Sequence, residues 1–256
     1  MTSIINKQGS VKSSSPSQND APDRPRLVLR IGFAGSRDLA NNECTQLKTT
    51  LNGILRILGG ELTNIAPYGS DSSNDTSFSE FFSKKEPPLL RLITGLCEGA
   101  DAIAGEALEE IKEINKTSDT EKDFRCFNSE LAAVLPFDVV TYRQCRDERF
   151  RNEFDRQLAV CSWIQVLDGI YDKPDAAELT NLSSEQEKKN RRDLANLRRA
   201  RAYRAQGAFL LRHSDILIAA ANPDANKGKA GGTMETIRSA LAFGLPVIFI
   251  NTGKEN

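Results

Sequence analysis

Residues 213–251, HSDILIAAANPDANKGKAGGTMETIRSALAFGLPVIFIN, read as strand, loop, helix and strand. Ile216, Leu217 and Ile218 with the three alanines after them form a short apolar run that suits a strand buried on both faces of a parallel sheet. A polar loop follows and ends in Gly231-Gly232-Thr233. From Thr233 onward, Ile237, Ala240 and Leu241 recur at helical spacing, and Gly244 with Pro246 stops that helix before a second apolar run, Val247 to Ile250. The stretch is a βαβ half with a glycine turn at the start of its helix.

Such a turn has a use in recognition. Glycines let a ligand approach the backbone closely, and the first N–H groups of a helix have no partner within it and carry partial positive charge. An anion suits that position, a phosphate most often. The alternative is that Gly231 and Gly232 only turn the chain.

The chain has 256 residues, 39% hydrophobic and 27% charged, which suits a single large globular domain. A net charge of −1 and a pI near 6.0 give no general attraction to nucleic acid or acidic membranes, so neither is expected as a partner and an anion site must be local. Five cysteines without CxxC spacing and a single histidine make a metal site improbable, and no cofactor is expected. The thiols read as reduced. With no long apolar run and no apolar signal core, the expected location is the cytoplasm.

Residues 1–24 are rich in Ser, Asn, Gln, Asp and Pro and predict a disordered arm before a single domain over 25–256. Leu27 to Phe33 form the first strand, Gly35-Ser36-Arg37 its turn, and 42–58 a helix with Leu47, Leu51, Ile54, Leu55 and Leu58 on one face and Gly59-Gly60 as its stop. Residues 61–86 read as a Ser-rich surface insertion. Leu89 to Thr94 is the second strand, and Gly95 to Asp101 turn into a helix carrying Ile103, Ala107, Leu108 and Ile111. After a charged linker over 115–127 come a strand from Leu131 to Phe137, a polar segment with Tyr142, Arg143, Arg146 and Arg149, a helix over 148–160 and a strand from Trp163 to Leu167. The charged segment 169–198 leads through a solvated amphipathic helix over 184–212, whose buried face is read as Leu194, Leu197, Ala200, Tyr203, Ala208 and Leu211.

GFAGSR (32–37), LITGLCEGADAIAGEAL (92–108), VLPF with Tyr142-Arg143 (134–143), and SDILIA, KAGGTMETI and GLPVIFI (214–250) occur in the order found in the SLOG superfamily. That superfamily includes the Lonely Guy enzymes, the DNA-processing protein A fold and nucleotide-sensor domains. The chain resembles its sensor branch over about 25–251. The resemblance implies a Rossmann-like three-layer α/β fold with a mostly parallel central sheet. It also implies a nucleotide or nucleotide-derived ligand held at the carboxyl ends of the strands, in agreement with the glycine turns. Carried over by position, it places ligand contacts at Gly35, Ser36 and Arg37, at Thr94, Gly95, Glu98, Gly99 and Asp101, at Arg143, and at Gly231, Gly232, Thr233 and Glu235.

On this reading the protein is a ligand sensor in bacterial defence or signalling, a homo-oligomer or coupled to an effector, and not an enzyme. The alternative is a Lonely Guy-like nucleoside monophosphate phosphoribohydrolase using Glu235 with Arg37 or Arg143. Those enzymes place their glutamate three residues after the threonine, whereas Glu235 follows Thr233 by two, a rotation of about 100° on a helix. The tyrosine-arginine segment of the sensor branch continues with Asp-Phe, and here Gln144-Cys145 follow.

Overall fold

Apolar alternation decides the layers. In β2 (Leu89–Thr94) Leu90 and Leu92 point to one face and Ile93 to the other, and in β5 (Ile216–Ala221) Ile218 and Ala220 oppose Leu217 and Ala219. Both faces are apolar, so both must be covered by helices. The computed structural model describes residues 24–66, 81–117, 127–224 and 231–253. It adds the strands β1 (Val28–Gly35), β3 (Asn128–Leu135), β4 (Cys161–Val166) and β6 (Val247–Asn251). The six strands form one sheet in the order β4-β3-β2-β1-β5-β6 with every pairing parallel, which makes the central sheet parallel throughout rather than mostly so.

On one face, α1 (Asn41–Ile65), α2 (Ala100–Thr117) and α4 (Arg151–Val160) build a core in which Leu47, Leu51, Leu55, Ala104, Ala107 and Phe154 meet the strands. On the other, α6 (Glu185–Arg212) and α7 (Thr233–Ala242) pack Leu210, Leu211, Ile237 and Ala240 against Ile93, Ala132, Leu217 and Ala219. Two short helices complete the set, α3 (Val139–Gln144) and α5 (Ala176–Thr180). The result is a Rossmann-like three-layer α/β fold. From β1 the chain moves outward through β2, β3 and β4, and α6 then returns it to place β5 on the other side of β1. The strand order therefore reverses between β1 and β5, the point at which open α/β sheets form a crevice above the carboxyl ends of their strands.

Three local readings are corrected. The first helix does not stop at Gly59-Gly60 but continues to Ile65, taking in the start of the expected 61–86 insertion. Gly59 lies against the Phe127 ring, where a Cβ would fall 2.1 Å from ring carbon Cζ, so this glycine serves close packing and not termination. The 148–160 helix begins as a 3-10 turn, Glu148–Phe150, before α4. In α6 the expected buried face holds at Leu211 but is rotated toward the start of the helix, where Ala195, Ala202 and Gln206 are buried and Leu194 and Leu197 are 42% and 50% exposed. Ser184 caps this helix by accepting from the Glu187 N–H, and Glu187 bonds back, a capping box that fixes its start. The expected arm up to residue 23 and most of the insertion lie outside the described residues. Among those described, no helix is long and apolar enough to cross a membrane, and no group of three His, Cys, Asp and Glu could hold a metal ion.

Candidate functional site

The crevice at the switch point is built from backbone first. At the end of β1 the Ser36 N–H donates to the Ala220 carbonyl of β5 at 2.9 Å, and the Ser36 carbonyl accepts from the Ala100 N–H at 3.0 Å. Gly99 has a φ of +85°, and a Cβ there would meet the Arg37 carbonyl oxygen at 2.2 Å, so only glycine lets the second turn lie on the first. The third turn joins them through Thr233, whose hydroxyl donates to the Gly35 carbonyl at 2.9 Å. The turns holding Gly35, Gly99 and Thr233 thus form one surface at the carboxyl edge of β1. Gly232 is the N-cap of α7 with no side-chain cap bond, and it has an extended backbone, φ −92° and ψ 174°. The left-handed glycine is Gly231, at φ +74°.

The loop after β2 is held from inside. Asp101, 6% exposed, accepts from the Thr94 hydroxyl at 3.0 Å and the Gly95 N–H at 3.1 Å, and Thr94 accepts in turn from the Leu96 N–H. Burial pushes the Asp101 carboxyl up to about 6 against the opposing pull of those donors and of Arg37. Leu96 takes a left-handed φ of 48° although fully buried, a strain that the surrounding bonds hold in place. The Tyr142 hydroxyl donates to the Gly95 carbonyl at 2.7 Å. Thr94, Gly95 and Asp101 therefore spend these hydrogen bonds on the shape of the loop.

Arg146 is the second support of that loop. Its side chain is 1% exposed, lies 4.3 Å over the Tyr142 ring, and donates to Glu98 at 2.7 Å, Cys97 Sγ at 2.8 Å, Tyr203 Oη at 3.0 Å and Cys145 Sγ at 3.1 Å. Burial works against ionised Glu98, but the Cys97 thiol and Arg146 outweigh it and hold the carboxylate below its ordinary range. Burial pushes the Cys97 thiol up, so it stays protonated.

Around the rim, exposed Arg37 stands over the Tyr203 ring at 5.4 Å. Tyr203 also borders a cleft of about 200 Å³ between α6 and α7, lined by Arg204, Gly207, Gly231, Glu235 and Thr236 among others. Glu235 accepts from the Gly231 N–H at 2.6 Å and from Arg204 at 2.7 Å, and these bonds hold its carboxylate below the ordinary range. It braces the turn and the wall of the cleft. Arg143 forms a bidentate pair with Asp155 of α4 at 2.7 to 2.9 Å.

Sequence reasoning chose Arg143 and passed over Arg146, Tyr142 and Tyr203 as site residues. One signal for the first two was available: Tyr142 and Arg146 are four apart, so a helical turn puts them on one side while Arg143 turns away. The role of Tyr203 depends on how α6 crosses the sheet, and no local pattern carries that.

No protein-family model matches the chain. No curated protein matches it either. Among solved structures the fold is similar to DNA processing protein A from Helicobacter pylori, solved for its single-stranded DNA binding mode, with 13% identity and a TM-score of 0.40 over 88% of this chain. The chain spans 65% of that protein's length. The expectation that nucleic acid is no partner is corrected on this finding, because the similar solved protein binds single-stranded DNA; nucleic acid is not set aside as a partner class. The likeness concerns the fold alone, a Rossmann-like α/β architecture.

Proposed function

We propose that the protein binds a nucleotide or nucleotide-derived ligand in the crevice above β1 and β5, as a signal whose occupancy is passed to an effector region or partner. The observation that carries this reading is the junction of the turns: Thr233 at the first turn of α7 is tied to Gly35 at the strand-order reversal, and exposed Arg37 stands beside it. A phosphate there meets the first N–H groups of α7 and the planar fork of Arg37. The remainder of the ligand extends along Tyr203 into the cleft between α6 and α7, where aromatic, hydroxyl and charged groups converge.

The hydrolase alternative would use Glu235, whose carboxylate bridges Gly231 and Arg204. A carboxylate held below its ordinary range by two donors is a weak base, which favours binding over turnover.

Calorimetric titration with mono-, di- and cyclic nucleotides, followed by chromatography of the recovered ligand, tests the reading. Saturable binding with the ligand recovered intact is the expected result. Release of free base would support the hydrolase, and no binding across the panel would overturn the nucleotide reading.

A further inference from the structure

We propose that two copies of this chain associate through the amino-terminal half of α6, packed antiparallel about a two-fold axis at Leu197. The face of α6 that borders α7 is lined by residues from Tyr203 onward. Toward its start the same helix leaves Leu194 and Leu197 42% and 50% exposed, although Ala195 on the inner side is fully buried. Two neighbouring leucines on a helix otherwise rich in charge form an unpaired apolar spot, and its flanking charges identify the occupant.

Asp193 and Arg201 stand one turn before and one turn after Leu197, so the three residues lie along one i±4 ridge. Both charged residues are exposed, and neither has an ion-pair partner among the described residues. Eight positions apart, they cannot reach each other within one helix. In an antiparallel pair centred on Leu197, residue 197 + n faces residue 197 − n of the other copy. Asp193 then faces Arg201 of the second chain twice, Leu197 meets Leu197, and Leu194 meets Ala200. The patch is self-complementary, as an isologous two-fold interface requires. In a parallel pair the same residues would oppose like charges. Of the other arginines near this ridge, Arg198 pairs with Asp172 and Arg204 with Glu235.

Sedimentation equilibrium of the full 256-residue chain, with circular dichroism as a check on folding, decides the matter. The wild-type chain is expected to dimerise. Asp193→Arg and Arg201→Asp each bring like charges together and should weaken the dimer by more than about tenfold, while the double variant Asp193→Arg/Arg201→Asp restores it. Restoration excludes a simple folding defect in the single variants. A wild-type monomer at all concentrations, or a double variant no better than the singles, would overturn the proposal and leave the ridge to another occupant.

Discussion

The Thr233 hydroxyl donates to the Gly35 carbonyl at 2.9 Å, a bond between residues 198 positions apart that fixes the first turn of α7 to the end of β1. It is a side-chain tie between the two halves of the crevice. Thr233→Val keeps the shape and removes the donor, so it should cost about 0.5 to 1.5 kcal/mol of stability in urea unfolding. Thr233→Ser should recover most of that. A valine variant as stable as wild type would show that the bond contributes nothing and that packing alone aligns the turns.

Arg37 and Arg143 offer a direct contrast, since one stands at the crevice and the other is paired with Asp155 on α4. Arg37→Ala should weaken nucleotide binding by about 1.5 to 3 kcal/mol, the range for a hydrogen bond to a charged group, with the melting temperature little changed. Arg143→Ala should leave affinity intact and lower the melting temperature little, as loss of an exposed ion pair does. Parallel titrations and melts of the two variants measure both halves. Equal losses of affinity would show that the ligand reaches α3.

Asp101 makes stability depend on pH in a direction unusual for a carboxyl group. Its folded value near 6 lies above the ordinary 3.8, so the folded state holds the proton more tightly than the unfolded chain. The stability this group contributes is fully present below pH about 4 and is lost as pH rises through about 6, on the order of 3 kcal/mol in all. Asn at this position still accepts from the Gly95 N–H and carries no charge. Relative to wild type, Asp101→Asn should therefore gain stability between pH 4 and 7, read from unfolding curves across that range. A constant difference between the two proteins would mean that Asp101 is ionised throughout.

The sequence carries the sheet more plainly than the site. Parallel strands buried on both faces read as apolar runs, and β2 and β5 lie where their runs fall, because burial on two sides leaves little freedom of composition. The Gly59 pair misled because a glycine needed for close packing looks the same as one that ends a helix; only the fold brings Phe127 against it. The outward turn of Leu194 and Leu197 is equally hidden. Apolar periodicity identifies a face, but whether that face is covered depends on how the helix crosses the sheet and where α7 lies. In the site, the glycine turns were legible through local backbone demands, whereas Arg146 gains its meaning from four partners spread from Cys97 to Tyr203.

The glycine pair before α7 separates turn chemistry from ligand chemistry. Gly231 has φ +74°, and a methyl group there would stand 2.9 Å from Tyr203 Cβ, so Gly231→Ala is strained twice over and should destabilise the fold by more than about 1 kcal/mol. Gly232 has φ −92°, an extended N-cap backbone that any residue adopts. Alanine is a poorer N-cap than glycine by up to about 1 kcal/mol, so Gly232→Ala should cost less stability than Gly231→Ala. If a phosphate meets the backbone at the start of α7, that same methyl group blocks its approach and nucleotide binding should be lost. The two variants thus predict opposite outcomes, with stability reduced at position 231 and affinity reduced at position 232. Thermal melts and calorimetry on the same preparations distinguish them. Full affinity in Gly232→Ala would leave the pair as a turn and move the phosphate away from α7.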